Sequence, residues 1–356
     1  MEAGAITRRA LLGRASAAAL GAGALTSVPE PAGARLSKRA HPHRTVPLPT
    51  ARQVRADFTR MVEFGPRLTG STSHNRYIAW LEQQFTGAGL TVSPCDTYTT
   101  ARWSESNYGL ELLDGATPAP VSVAAYYPRS QQTPAAGVTG PLVYAGTAPA
   151  LSASGTDLAA LEVAIAEYPA QFTSSAQGIS GTIAGGTQGA IVLVDLPMPA
   201  PLTAAAFIEL ATYLNWPGHT LADWANSDYK RTWIEPGLGV PLAPWQAAGA
   251  AAVVFVVDAS SPALKGGYLP FGHGTEPLPA LYVDRGTGRD LRTRAVTRPR
   301  ARLTLNGAVK RVPTQTVTAI LPGASKETII FNTHTDGQGF AAVSYTHLRA
   351  HETGRN

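Results

Sequence analysis

Cysteine is almost absent: Cys95 stands alone in 356 residues, so no disulfide can close within the chain. A lone thiol with no identifiable partner reads as a half-buried structural group rather than a nucleophile. No G-x-S-x-G turn occurs, which removes the serine-hydrolase elbow. Charge is sparse as well, at 15% of residues. The net charge of +5 belongs to the first 44 residues. There Arg8, Arg9, Arg14, Arg35, Lys38, Arg39 and Arg44 face only Glu2 and Glu30, and the remainder balances to zero. A nucleic-acid footprint needs clustered basic charge on a folded face. The nearest candidate, Arg285 to Arg302, is interrupted by acidic residues, Gly and Pro and reads as solvated surface, so no nucleic-acid partner is expected. No apolar run is long enough to span a bilayer, and no repeat of fixed period is present.

What the chain does have is 44% hydrophobic residues with 35 Gly and 28 Pro. That composition describes a globular chain with a sizeable core, many turns and a β-rich portion. Its length suits two domains, or one domain carrying a large insertion. Residues 1–34 read as an export leader. Thr7–Arg8–Arg9–Ala10–Leu11–Leu12 matches the twin-arginine pattern, Ala15–Leu25 is a weakly apolar stretch, and Ala32–Gly33–Ala34 suits small-x-small cleavage. Export of an already folded chain also suits a secreted protein without disulfides, which is otherwise unusual. Residues 35–50, rich in Arg, His and Pro, form a linker.

Val54, Phe58, Met61 and Val62 have helical spacing, with a stop at Gly65–Pro66. Tyr77, Ile78, Leu81 and Phe85 mark a second amphipathic helix that closes at Gly87 and Gly89. Leu90–Val92 and Tyr108–Leu113 read as strands. From about Pro118 the pattern becomes short strands between Gly/Pro turns: Val121–Tyr127, Pro141–Tyr144, Ala190–Asp195, Val253–Asp258, Ala280–Val283 and Ala301–Leu305. Ala247–Ala252 reads as a small-residue helix leading into a strand. Val317–Leu321 and Thr328–Asn332 return to buried-strand texture. Between Leu196 and Gln246 lie Phe207, Tyr213, Trp216, Trp224, Tyr229, Trp233 and Trp245. They form either a helical insertion with its own small core or a lid facing substrate.

The candidate site follows Ile329–Ile330–Phe331–Asn332, which reads as a buried parallel strand. Thr333–His334–Thr335–Asp336–Gly337 then places a His-x-Asp at the strand's carboxyl end, where open α/β sheets carry their chemistry. An imidazole there can bind a metal ion while the carboxylate two residues on supports it from behind. Beyond it, Val343–Thr353 reads VSYTHLRAHET, which resembles a one-frame translation of a sequencing-library adapter. His347, His351 and Glu352 would share a helix face as a zinc motif does, but residues 343–356 are expected to be an artefactual tail.

The order of these features resembles a known family. Phe64–Gly65–Pro66–Arg67–Leu68–Thr69–Gly70–Ser71 is similar to the FGPR-x-TGS signature of bacterial co-catalytic zinc exopeptidases, the secreted aminopeptidases related to glutamate carboxypeptidase. Ala88–Gly89–Leu90 matches the end of the helix that follows it. Gly137–Gly146, Gln188–Asp195 and Ala247–Phe255 resemble strands and a helix-to-strand element of the protease-associated domain inserted in many such enzymes. Val317–Gly323 and the run to Asp336 look like the return to the peptidase domain.

The resemblance implies an α/β fold: the start of a zinc-exopeptidase sheet, incomplete, interrupted by a β-rich α+β protease-associated domain. The implied domains are residues 51–117 for the N-terminal peptidase part, 118–313 for the insert with its aromatic-rich stretch at about 200–246, and 314–342 for the truncated return. His334 matches the first zinc ligand and Asp336 the non-ligand carboxylate that supports it. The other ligands and the general base would lie downstream. The whole protein would be a secreted enzyme that trims terminal residues from peptides, with two zinc ions sharing a water and a Glu moving its proton. The chain as given is expected to be inactive and to bind no zinc tightly. The alternative is a secreted, non-catalytic binding module built on the protease-associated domain. Oligomeric state and terminal-residue preference are not readable from the sequence.

Overall fold

The computed structural model describes residues 48–93, 96–150, 158–183, 185–197, 241–264, 275–323, 328–337 and 349–352. The export leader, Cys95, and most of both the aromatic-rich stretch and the C-terminal tail lie outside the described residues.

In chain order the elements are α1 (Ala51–Glu63), α2 (Thr72–Gly87), β1 (Thr91–Val92), β2 (Asp96–Leu112), β3 (Ala119–Val121), β4 (Ala125–Tyr126), β5 (Val138–Thr147), α3 (Leu158–Thr182), β6 (Ile191–Leu196), α4 (Ala243–Ala247), β7 (Ala252–Val257), α5 (Ser261–Leu264), β8 (Ala280–Val283), α6 (Arg285–Ala295), β9 (Arg300–Thr316), β10 (Ala319–Ile320), β11 (Ile329–Asn332) and β12 (Arg349–Glu352). The fold is mixed α/β, as the sequence predicts. Eight strands form one mixed sheet in the order β3-β2-β9-β5-β6-β7-β8-β4. The run β5-β6-β7-β8 is parallel, and the flanking pairs are antiparallel.

The central strands are apolar on both faces because both faces are covered. On one face Val192, Val194, Val253, Phe255 and Val257 pack with Ala164, Tyr168, Phe172 and Ala176 of α3, Trp245 of α4 and Leu264 of α5. On the other, Ile191, Leu193, Ala252, Val254 and Val256 meet Leu291 and Ala295 of α6. The strict alternation along β6 and β7 is the period of two that a strand requires.

Four sequence expectations need correction. The segment after Pro118 is not all short strands. The 25-residue helix α3 was not foreseen, because Ala, Ser and Gly dilute its apolar stripe and Pro169 reads as a breaker. The expected small-residue helix at 247–252 lies earlier, at Ala243–Ala247, and its last residues form the turn into β7. Arg285–Arg302 is not simply solvated surface. Asp284 caps α6 by accepting from the Thr287 N–H at 2.8 Å, and Leu291 and Ala295 anchor the helix in the core. Finally, β11 is neither buried nor parallel. It pairs antiparallel with β12 in a separate two-stranded sheet, with Ile329, Ile330 and Phe331 at 61%, 48% and 67% exposure. An apolar run is buried only where other elements cover it, and no described element does. His351 lies on strand β12, and His347 lies outside the described residues.

The long ribbon β2–β9 spans 17 residues in each strand and takes β2 from before residue 118 into the same sheet as the middle segment. Its far end carries the N-terminal helices. Gln315 Nε2 of β9 donates to Glu82 Oε1 of α2 at 3.1 Å, and Thr314 is buried against α2 residue His74.

Candidate metal-side site

The site lies where the N-terminal helical pair meets the segment after β11. Thr50 caps α1 through a reciprocal capping box with Gln53. The helix closes at Phe64, and Gly65 follows with a left-handed φ of 70°. Arg67 then forms an isolated antiparallel bridge with Gly337. Its N–H donates to the Gly337 carbonyl at 2.8 Å, and the Gly337 N–H returns a bond at 3.0 Å. Ser71 caps α2 by accepting from the His74 N–H at 3.1 Å.

Arg67, 6% exposed, reaches across the junction. Its Nε donates to the Thr335 carbonyl at 3.3 Å, one terminal nitrogen donates to the Met61 carbonyl at 3.2 Å, and its guanidinium lies 4.7 Å from the Tyr77 ring centre. Thr69 Oγ1 donates to Asp336 Oδ2 at 3.2 Å. His74, 2% exposed, takes the Gly70 N–H on Nδ1 at 3.2 Å, which leaves Nε2 to donate to Thr335 Oγ1 at 2.8 Å. The motif around residues 64–74 therefore holds residues 335–337, while the His334 side chain stays half exposed.

His334 Nδ1 faces two oxygens of Asp336, the carboxylate Oδ1 at 2.8 Å and the backbone carbonyl at 2.9 Å. Both are acceptors, so Nδ1 carries the proton and the neutral ring bears its lone pair on Nε2. The hydrogen bond to Asp336 holds the imidazole above its ordinary pKa against the effect of burial. Burial alone pushes the Asp336 carboxyl up. The hydrogen bonds from His334 and Thr69 and the neighbouring imidazoles outweigh that, and the carboxyl stays below its ordinary value. His74 is pulled the other way: burial holds its pKa below the ordinary value despite Asp336.

A carboxylate behind Nδ1, with the lone pair on Nε2, is the arrangement of a metal-ligating histidine. The donor set does not go further. Among the described residues no three His, Cys, Asp or Glu side chains gather as a metal site, whereas a catalytic zinc takes three protein ligands and a water. Among the described residues the arrangement stops at one histidine and its supporting carboxylate.

No family model matches the chain, and no curated protein matches it. Among solved structures it is similar to an aminopeptidase from Aneurinibacillus sp. strain AM-1, at 16% identity over 76% of this chain and 49% of that one, with a TM-score of 0.38. It is also similar to BSAP, a zinc aminopeptidase from Bacillus subtilis, at 15% identity over 76% and 47%, TM-score 0.43. A third is a peptidase M28 precursor from Shewanella amazonensis SB2B, at 17% identity over 74% and 48%, TM-score 0.42. The chain spans about half the length of these structures. At this identity and TM-score the likeness assigns no function.

The structure brings together both residues singled out in the sequence, His334 and Asp336. It adds three whose chemistry was not read: Arg67, Thr69 and His74. The signature holding Arg67 and Thr69 was visible as a motif. His74 could have been found from its four-residue spacing to Ile78, which places it on the buried face of α2.

Proposed function

We propose that this chain supplies the first metal-binding histidine, His334, and its supporting carboxylate, Asp336, to a secreted zinc exopeptidase of the aminopeptidase type. The observation that carries the reading is the His334 Nδ1 bond to Asp336 at 2.8 Å, with the second carboxylate oxygen anchored by Thr69 of the FGPR-x-TGS-like signature. A histidine so fixed presents Nε2 in one tautomer and one orientation. The remaining ligands and the general base belong to residues outside those described, and peptides are the substrate class. Export through the Arg8–Arg9 leader is part of the same reading. The described residues alone do not complete a zinc site, so this reading leaves peptidase activity to the remaining ligands.

Long-read sequencing of the gene across the codon for Phe340 tests this. A frame that continues into sequence with several carboxylates and a late histidine supports the exopeptidase. A gene that ends with VSYTHLRAHET as genuine sequence overturns it.

A further inference from the structure

His74 is not explained by the pairing of His334 with Asp336. It is a buried imidazole on the first turn of α2, and burying such a group is costly unless both ring nitrogens find partners. A residue needed only to fill this space would be apolar. Here each nitrogen has a distinct task. Nδ1 accepts from the Gly70 N–H at 3.2 Å, with Thr314 Oγ1 a further 3.4 Å neighbour, and Nε2 meets Thr335 Oγ1 at 2.8 Å.

The two ends of this link differ in rigidity. Gly70 has a left-handed φ of 71°, and a Cβ there would collide with Val312 of β9 and approach the Pro313 carbonyl at 3.2 Å. The turn is thus pressed onto the long ribbon, and Thr314 belongs to the same strand. Thr335, at the other end, sits between the two site residues. The side chains of His334 and Asp336 meet each other, while that of Thr335 turns to His74. Holding the middle side chain restrains the backbone dihedrals on either side of it, and those dihedrals set where His334 and Asp336 point.

We propose that His74 is a positioning residue of this site: through Thr335 it transmits the rigidity of β9 to His334 and Asp336 and keeps them in mutual hydrogen-bonding geometry. This assigns His74 a role at a site read as metal-binding, and to that extent rests on that reading. It makes no contact with any ligand itself.

The test is the tautomer of His334, read from imidazole nitrogen shifts of the full-length chain labelled with 15N-histidine, in alkaline buffer where the ring is neutral. In the unaltered chain His334 shows one tautomer, protonated on Nδ1. His74→Asn keeps an acceptor for the Gly70 N–H and loses the donor to Thr335. Thr335→Val removes the other end of the same bond with little change of shape. Both variants shift the His334 nitrogens to the averaged positions of an imidazole exchanging between tautomers. His74→Gln, whose amide reaches the Nε2 position, and Thr335→Ser restore the single tautomer. The double variant His74→Asn/Thr335→Val behaves like either single one, because both cut the same link.

A single Nδ1–H tautomer retained in folded Thr335→Val overturns the proposal, and that variant decides alone if His74→Asn does not fold. Averaged tautomers already in the unaltered chain overturn it too. If the tautomer responds as expected but the gene fails to supply further ligands, the metal reading falls and the positioning role stands.

Discussion

Thr69 Oγ1 donates to Asp336 Oδ2 at 3.2 Å across 267 positions of sequence. This contact joins two motifs that the chain keeps far apart, and it leaves the other carboxylate oxygen for His334. Removing one donor from a mostly buried carboxylate exposes the asymmetry of hydrogen-bond energetics: a bond adds little net, but a partner left unsatisfied costs about 1–3 kcal/mol. Thr69→Val therefore destabilises the local junction by about 1–2 kcal/mol. Hydrogen exchange at the Arg67 and Gly70 amides quickens by roughly 5- to 30-fold. Thr69→Ser, which keeps the hydroxyl, exchanges like the original chain. Equal exchange in Thr69→Val and Thr69→Ser would show that the bond does not hold the junction.

The two glycines that open and close the signature separate backbone strain from crowding. Gly65 and Gly70 have nearly the same left-handed φ, 70° and 71°. A Cβ on Gly65 meets nothing within 4 Å, whereas one on Gly70 runs into Val312 of β9. Gly65→Ala thus costs only the left-handed penalty, about 1–2 kcal/mol. Gly70→Ala adds a collision with the Val312 side chain, and overpacking of this kind adds about 1–3 kcal/mol. Urea unfolding of the two variants checks the order, and a Gly70→Ala no worse than Gly65→Ala removes the tight approach of this turn to the ribbon.

Much of the sheet was legible because its central strands are apolar runs bracketed by Gly and Pro. Ala280–Val283 has the bounds read from the sequence, and β6 and β7 shift by a residue. The ribbon was not legible at full length. Beyond the stretches read, residues such as Lys310 and Arg311 on one strand face Arg102 and Ala101 on the other, and such pairs leave no apolar alternation to read. The stripe Ala164, Tyr168, Phe172, Ala176 has the four-residue spacing of α3, but three of those positions are small or next to Pro169. At the site, His334 and Asp336 could be paired because they are two apart. Arg67, Thr69 and His74 act on residues more than 250 positions away, and single-sequence reasoning has no access to such distances. The misreading of β11 has a different cause: an apolar tetrapeptide says that burial is favourable, not that a cover is supplied.

The two histidines give the junction opposite pH dependences. His74 titrates below its ordinary 6.5 in the folded chain because it is buried. As pH falls below 6.5 the unfolded state takes up a proton that the folded state refuses, so stability is lost until the folded-state pKa is passed. His334 titrates above 6.5 because of its bond to Asp336. Its contribution is complete below 6.5 and disappears as pH rises through the folded-state pKa. Asp336, held below 3.8, adds its own loss only at lower pH. Local stability is therefore greatest near pH 6.5. Hydrogen exchange at the Gly70 amide across pH, corrected for intrinsic rates, shows this maximum. His74→Asn flattens its acid side and His334→Asn its alkaline side. A maximum unchanged in both variants contradicts the assignment.

Zinc titration separates a supported histidine from a completed site. His334 with one carboxylate behind it falls short of the three protein ligands a catalytic zinc requires. Isothermal titration of residues 35–342 is expected to show zinc binding no tighter than about micromolar, since a catalytic zinc takes three protein ligands. His334→Ala removes what binding there is at this place. Stoichiometric, tight binding that survives His334→Ala would locate a metal site elsewhere in the chain.

The exposed face of β11 sets how the chain behaves at high concentration. Ile329 and Phe331, two residues apart, lie on one face at 61% and 67% exposure, and Ile320 and Leu321 are exposed at 52% and 67% in and beside β10. Beyond its pairing with β12, β11 has no further strand partner among the described residues. A short apolar strand with an unpaired edge is a template for another strand, and charged residues are the usual means of blocking it. The purified chain accordingly self-associates with rising concentration in sedimentation velocity. Ile329→Lys/Phe331→Lys returns it towards the monomer without opening the core, because neither side chain packs in either core cluster. Association unaffected by the double variant would place the sticky surface elsewhere, with Ile320 and Leu321 the next residues to change.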